Sequence, residues 1–260
     1  MNVTLLHDKV EIESFLRGNT PLHLYELGDL DEFFWPYTSW YALQDKGQIR
    51  ALALLYVNLE LPTLLAIADD IEATRQLLAA SLPLLPRRLY AHLSGNLASV
   101  FNGTYLMNTH GLHYKMALND RLRLNQVETS QVIPLSVSDA QALNALYRVS
   151  YPGNWFDPRM LETGHYYGIW HSGVLVSVAG VHVYSPRYRV GVLGNVTTYP
   201  DFRGQGLGKS VCAKLCVELL KTVDDVGLNV RADNASAIAT YKRLGFEVIG
   251  EYEEGLLVSR

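Results

Sequence analysis

The sequence predicts a layered α+β fold built as two similar halves, and three observations carry that expectation. Of its 260 residues 48% are hydrophobic and 18% charged, below the roughly 25% charged that is usual for soluble domains, so the chain has a core to bury and is not disordered. Apolar patterns of period two and of helical period alternate along it. Residues 91–116, AHLSGNLASVFNGTYLMNTHGLHYKM, and 230–251, VRADNASAIATYKRLGFEVIGE, both read strand, Asn, helix, Gly plus apolar residue, strand. The length by itself allows one large domain or two modest ones.

Period and punctuation place the elements in order. In the first half, strands are expected at 3–6, 40–43, 50–59, 63–68, 89–93 and 112–117. Helices are expected at 9–17, around 22–31, at 70–82 and at 96–110. Asp69 or Asp70 offers a cap for the third helix and Pro83 a stop. The apolar pattern lapses in NDRLRLNQVETSQ, residues 119–131, which sets a boundary near residue 126 and halves of 1–125 and 126–260. Beyond it a strand at 132–135 leads to a helix at 138–149 with a Ser-Asp start. An aromatic segment at 151–157 follows, then strands at 166–171, 174–184 and 189–199. A helix at 206–223, a strand at 227–232, a helix at 234–244 and closing strands over 246–258 complete the pattern.

A formal net charge of −4 gives no global attraction for nucleic acid or for an anionic membrane, so a bound anion must be held locally. No run of about 18 apolar residues occurs, and the start MNVTLLHDKVEIES lacks a basic segment followed by an apolar one, so no membrane partner and a cytoplasmic protein are expected. Cys212 and Cys216, the two cysteines, lie four apart on one helical face and read as small core residues; a redox pair would use C-x-x-C. No metal site is expected.

The chemistry concentrates in NVTTYPDFRGQGLGKSVCAKL, residues 195–215: a strand, a Pro turn, a glycine-rich loop and a helix that begins inside the glycines. Free amides at a helix start, with the positive end of its dipole, bind anions, and glycine lets a phosphate approach. Spacing separates three motifs with this physics. The loop G-x-x-x-x-G-K-[ST] fails because Arg203 stands five before Gly208, where glycine is required. The fingerprint G-x-G-x-x-G fails from Gly204, where Lys209 would have to be glycine, and from Gly206, where Val211 would. R-x-x-G-x-G fits, as Arg203, Gly206 and Gly208.

Residues 196–208, VTTYPDFRGQGLG, resemble the acyl-CoA-binding motif of the GNAT N-acetyltransferase superfamily. Asn234, Ala237 and Tyr241 followed by LGFE resemble its second signature, N-x-x-A-x-x-x-Y-x-x-x-G-F. The resemblance covers about residues 130–255, and the chain as a whole resembles tandem two-half members such as the glycine N-acyltransferase-like group. It implies two GNAT-like halves, each a mixed, mostly antiparallel sheet flanked by helices. The first half is degenerate: its corresponding helix opens with DDIEATRQ, whose acidic start would repel a pyrophosphate. The family's roles imply that backbone amides of Arg203, Gly204, Gln205, Gly206, Leu207, Gly208, Lys209 and Ser210 cradle the pyrophosphate of acetyl-CoA; with a net charge of −4, a few local cations, Arg203, Lys209 and Lys242 or Arg243, are expected to help hold it. Val196, Thr197 and Thr198 would pair with the pantetheine arm and offer an N–H to the thioester carbonyl. Asn234 would hydrogen-bond the pantetheine, and Tyr241 would serve as general acid near the thioester sulfur. Asn234 as a helix cap and Tyr241 as a packing residue are the structural alternatives.

No carboxylate occurs over residues 189–199, where many family members place a general base. Asn195 stands in that region, and His182, Glu162 and His165 are the remaining candidates by type. Tyr151, Trp155 and Phe156 would wall an acceptor pocket for an apolar or flat amine, or pack in the core. The expected activity is transfer of an acetyl group to a primary amine of a small molecule or peptide by direct attack, without a covalent cysteine intermediate. An acyl-CoA sensor without turnover and a phosphate-loop nucleotidase are the rivals.

Overall fold

The computed structural model describes residues 2–57, 61–154 and 156–260. It contains two compact units, Met1–Lys115 with Val230–Asp233 and Val248–Arg260, and Met116–Asn229 with Asn234–Glu247. The position near 126 therefore lies inside the second unit, and the last strand of the chain belongs mostly to the first.

The first unit begins with β1 (Asn2–Leu6), α1 (Lys9–Leu16) and the short α2 (Leu24–Gly28). It continues through β2 (Thr38–Asp45), β3 (Gln48–Tyr56), β4 (Thr63–Ala66), α3 (Ile71–Ser81), β5 (Arg88–Ser94) and β6 (Tyr105–Leu118), whose last three residues pass into the second unit. Its sheet runs β1-β2-β3-β4-β5 and continues through the chain's last strand, β12 (Phe246–Ser259), to β6; β12 pairs antiparallel with β5 from Tyr252 opposite Ser94 to Val258 opposite Arg88. From β1 through β5 to β12 the strands pair antiparallel except β4 with β5, which run parallel. One face buries Leu64, Leu77, Leu89, Ala91, Leu93, Phe101 and Leu257 in a single core against α3. Asp70 caps α3 by accepting from Ala73 N at 3.0 Å, and Glu72 sits in its first turn.

The second unit follows the same grammar. Strand β7 (Ile133–Pro134), α4 (Ala140–Ser150), β8 (Tyr167–His171), β9 (Val174–Ser185), β10 (Val190–Thr198), α5 (Leu207–Leu219), β11 (Asp225–Arg231) and α6 (Ala235–Arg243) succeed one another. The sheet runs β11-β10-β9-β8-β7, antiparallel except where β10 lies parallel to β11 from Val190 opposite Asp225 to Leu193 opposite Leu228. Helix α5 packs on β8, β9 and β10, and α4 on β9 and β10. Val211, Cys212, Leu215, Cys216 and Leu219 fill the inner face of α5, all fully buried. The α+β class, with a mixed and mostly antiparallel sheet in each unit flanked by helices, is thus the observed one.

One expected element is absent. Residues 96–110 are not a helix: a 3-10 turn at Leu97–Phe101 gives way to β6 from Tyr105. Asn102 and Gly103 stop the turn, and the Thr and Tyr that follow favour extended backbone. The strand expected at 50–59 ends at Tyr56, and its positions 58 and 59 lie outside the described residues. The helix expected at 22–31 shortens to Leu24–Gly28.

Candidate active site

The site of the second unit starts from a change of register in β10. Opposite β9, Val192 pairs with Val183 and Leu193 with Val181, so His182 is an extra residue in β9; then Gly194 pairs with Gly180 and Thr197 with Val178, which leaves an extra residue in β10. That second bulge centres on Asn195, whose φ of +55° lies in the left-handed region that Asn tolerates better than most residues. Parallel pairing with β11 stops at Leu193, immediately before it. Past the bulge, the edge of Val196, Thr197 and Thr198 that faced β11 has no ladder partner there, which is the geometry that an extended ligand arm can pair with.

Beyond Thr198 a 3-10 turn at Pro200–Phe202 delivers the chain to Gly204 and Gly206. Both adopt positive φ, +77° and +83°, and an added Cβ would meet nothing within 4 Å at either, so glycine is required there by backbone conformation and not by space. Gly206 is the N-cap of α5, and Ser210 N is the first amide to close on the helix, to Gly206 O at 3.1 Å. Among the described residues no acceptor takes the amides of Gly204 through Lys209. These free N–H groups at the positive end of a thirteen-residue helix form an anion cradle. Gly208 sits where a Cβ would come to 3.4 Å from Thr198 Oγ1, so the loop and the end of β10 are in contact.

Arg203 has a different side-chain position from the one expected for a pyrophosphate cation. Its Nε donates to Thr198 O at 3.1 Å and its Nη2 to Ser150 O at 3.2 Å. It therefore braces the loop against β10 and the last turn of α4, where a cation also complements the helix dipole.

Helix α6 packs beside α5 and carries the second signature. Asn234 is its N-cap, accepting from Ala237 N at 3.1 Å through Oδ1, which leaves its amide nitrogen to a ligand. Tyr241 is 8% exposed and meets Phe246 edge to face with centroids 6.0 Å apart. Gly245 ends α6 at φ +97°, and a Cβ there would stand 2.0 Å from Asp120 O, a physical reason for the glycine of the signature.

On the β9 side of the bulge lies an uncharged aromatic wall. Tyr147, Phe156 and Tyr166 are in ring contact, with centroids 5.2 and 5.8 Å apart through Phe156. Burial pushes the Tyr147 and Tyr166 phenols well above their ordinary values, so both stay protonated donors. Tyr151 is half exposed at the end of α4, and Trp155 lies outside the described residues. Of the candidate bases, His182 lays its ring against Gly194, where a Cβ would meet Cδ2 at 2.2 Å. His165 meets Tyr184 with tilted rings, centroids 4.2 Å apart, and burial lowers its pKa. Glu162 is exposed. Burial raises the Cys212 thiol to about 12 and pushes the Cys216 thiol well above its ordinary value, so neither is a nucleophile. No group of His, Cys, Asp and Glu among the described residues is arranged to hold a metal ion, and no helix is long and apolar enough to cross a membrane.

A sheet splayed at a bulge, a glycine loop opening a helix and a second helix beside it give the second unit a GNAT-type fold. Residues 166–254 match the family described as FR47-like protein. The [ribosomal protein bS18]-alanine N-acetyltransferase of Escherichia coli K12 is 47% identical over 55 residues, which are 21% of this chain and 37% of that one; the match thus spans about a third of the curated relative's length. Among solved structures, a tandem GNAT protein from the clavulanic acid biosynthesis pathway has a TM-score of 0.58 at 15% identity over 98% of this chain and 97% of that one. A Drosophila protein has a TM-score of 0.71 at 12% identity over 98% of both. The chain thus shares the fold of two-unit GNAT proteins, and its family match lies within residues 166–254.

Proposed function

We propose that the second unit is an acyl-CoA-dependent N-acyltransferase that moves an acetyl group from acetyl-CoA to the primary amine of a small-molecule or peptide acceptor, by direct attack in a ternary complex. The observation that carries this reading is the row of free amides from Gly204 to Lys209 next to the unpaired edge of Val196, Thr197 and Thr198. The first would hold the pyrophosphate and the second would pair with pantetheine, with the Val196 amide donating to the thioester oxygen as it gains charge. Asn234 would bind the arm through its amide nitrogen. Tyr241 would protonate the departing thiolate, a modest contribution because a thiol of pKa near roughly 8.5 leaves readily. Tyr151 and Trp155 would border a pocket for an acceptor with an apolar or flat group beside its amine, with Phe156 at its margin and the buried Tyr147 and Tyr166 packed behind it. The expected setting is cytoplasmic.

The first unit is read as having no acyl-CoA site, since Asp70 and Glu72 occupy the start of α3, where the second unit has its glycine loop. Loss of cofactor binding when the 203–210 loop alone is disabled is the expected result; retained binding would refute the one-site reading.

One observation favours a second reading: Asn195, an amide, stands on β10 where a basic carboxylate would be useful, as it would in an acyl-CoA sensor. Calorimetry with acetyl-CoA, followed by a thiol-release screen against amino acids, polyamines, aminoglycosides and peptides with a free N-terminus, separates the possibilities. Binding with release supports the transferase, binding without release across the screen supports the sensor, and absence of binding to any acyl-CoA removes both.

A further inference from the structure

We infer that Asn195 is a positioning residue that latches the 151–157 connection, and with it the acceptor wall, onto the bulge of β10. Its kinetic consequence rests on the acyl-transfer reading; the latch itself rests on the geometry of the second unit alone. Asn195 is 3% exposed, and each of its polar side-chain atoms is engaged. Oδ1 accepts from Asn154 Nδ2 at 3.1 Å, and Nδ2 donates to Tyr166 Oη at 3.0 Å. Its main-chain oxygen accepts from Tyr147 Oη at 3.2 Å, and Tyr166 Oη passes the chain on to Val181 O at 3.3 Å. One residue thus ties together α4, the connection that follows it, the residue preceding β8, and β9.

The residue type is selected twice over. A left-handed φ of +55° restricts the position to Gly, Asn or Asp with little strain. A buried site that must accept from one neighbour and donate to another requires a carboxamide, because a carboxylate has no proton to give to Tyr166. The two halves of the residue then act on different ligands. Its backbone makes the bulge that frees the Val196 edge for the cofactor, and Tyr147 holds that backbone whatever the side chain is. Its side chain fixes Asn154, and so the connection that carries Tyr151 and Phe156. Deleting the amide should loosen the acceptor side and spare the cofactor side.

Asn195→Gly keeps the left-handed backbone without strain and removes the amide, while Asn154→Ala removes the other end of the latch from a partly exposed position. Hydrogen exchange followed by mass spectrometry should show amides over 151–157 exchanging roughly five- to tenfold faster in either variant, the factor that a net hydrogen bond of ordinary strength is worth. In the double variant the change should be no larger than in the faster single one, as expected when two substitutions break one interaction. Acetyl-CoA affinity in Asn154→Ala should stay within about twofold, and for an acceptor found by the screen KM should rise by a larger factor than kcat falls. Unchanged exchange in Asn154→Ala, additive effects in the double variant, or a loss of acetyl-CoA affinity as large as that of acceptor affinity would each overturn the latch. Should the protein prove not to transfer acyl groups, the exchange measurements still decide the question.

Discussion

Gly245 and Asp120 meet at a place where no side chain fits. A Cβ on Gly245 would stand 2.0 Å from the Asp120 carbonyl oxygen, on a backbone with φ +97°. The close approach is held by Asn119 N and Asp120 N, which both donate to Gly245 O at 3.0 and 3.1 Å. Gly245→Ala should therefore lower the stability of the second unit by about 3 kcal/mol, combining backbone strain with a clash that only a main-chain shift relieves. Urea unfolding followed by tryptophan fluorescence and circular dichroism measures it; a change under about 0.5 kcal/mol would mean that the two segments separate freely.

That glycine was legible in the sequence as part of a motif, but its reason was not, because Asp120 lies outside the motif. The same division runs through the site. Gly204 and Gly206 announce themselves, since a turn into a helix needs positive φ and the sequence supplies glycine there. Alternating and helical periods likewise place most strands and helices to within a few residues. The helix expected at 96–110 failed because Asn102 and Gly103 end it as a 3-10 turn at Phe101, and packing of Tyr105 in the first core fixes the strand that follows. Arg203 was legible as a cation but not as a brace, because its acceptors are main-chain oxygens 5 and 53 residues away. Asn195 was visible only as a missing carboxylate. Its partners lie 29, 41 and 48 residues off, and the one local hint was a Gly-Asn pair inside a strand, which often marks a bulge.

The stability of the first unit should fall on both sides of about pH 6.5. Burial alone would depress His23, but its bond to Asp69, with Nε2 3.0 Å from Asp69 Oδ2, and the nearby carboxylate of Glu26, 3.6 Å from Nδ1, prevail and hold it at about 9. A histidine raised above its unfolded value of roughly 6.5 stabilises the fold fully below that pH, and the contribution is lost as pH rises through about 9. Its upper size is about 3 kcal/mol. His92 behaves oppositely: burial, opposed by Glu254, lowers it to about 4, so the neutral form that folding favours is lost as pH falls from about 6.5 toward 4. Unfolding free energies measured from pH 4 to 10 should show this dome, and His23→Gln should flatten its alkaline limb. An unchanged alkaline limb in His23→Gln would mean that the ion pair to Asp69 contributes nothing.

Tyr241 lies on the helix that Asn234 caps, buried at 8% exposure against Phe246. If its phenol protonates the thiolate, Tyr241→Phe should reduce kcat about tenfold or more while acetyl-CoA affinity and the unfolding midpoint stay near those of the parent. A packing role predicts the reverse, with stability affected and turnover per folded molecule unchanged. Measuring kcat for thiol release across pH, together with calorimetric affinity, distinguishes the two outcomes.

Arg203 gives the sharpest contrast between a motif's usual reading and the geometry of this chain. A guanidinium that neutralises a phosphate contributes a release of counterions, so its removal weakens binding and makes the affinity less dependent on salt. A guanidinium bonded to Thr198 O and Ser150 O contributes instead to the rigidity of the loop and to the end of α4. Arg203→Met should then lower acetyl-CoA affinity less than about fivefold, leave the slope of log affinity against log salt unchanged, and raise hydrogen exchange at 201–206 and at the last turn of α4. Arg203→Lys, which offers an ammonium in place of the two-pronged guanidinium, should resemble Met more than Arg in exchange, because one compact donor group cannot span the two carbonyls in the same way. A loss of more than tenfold in affinity with a shallower salt slope would instead place the guanidinium on the pyrophosphate, and would require its side chain to leave both carbonyls when the cofactor binds.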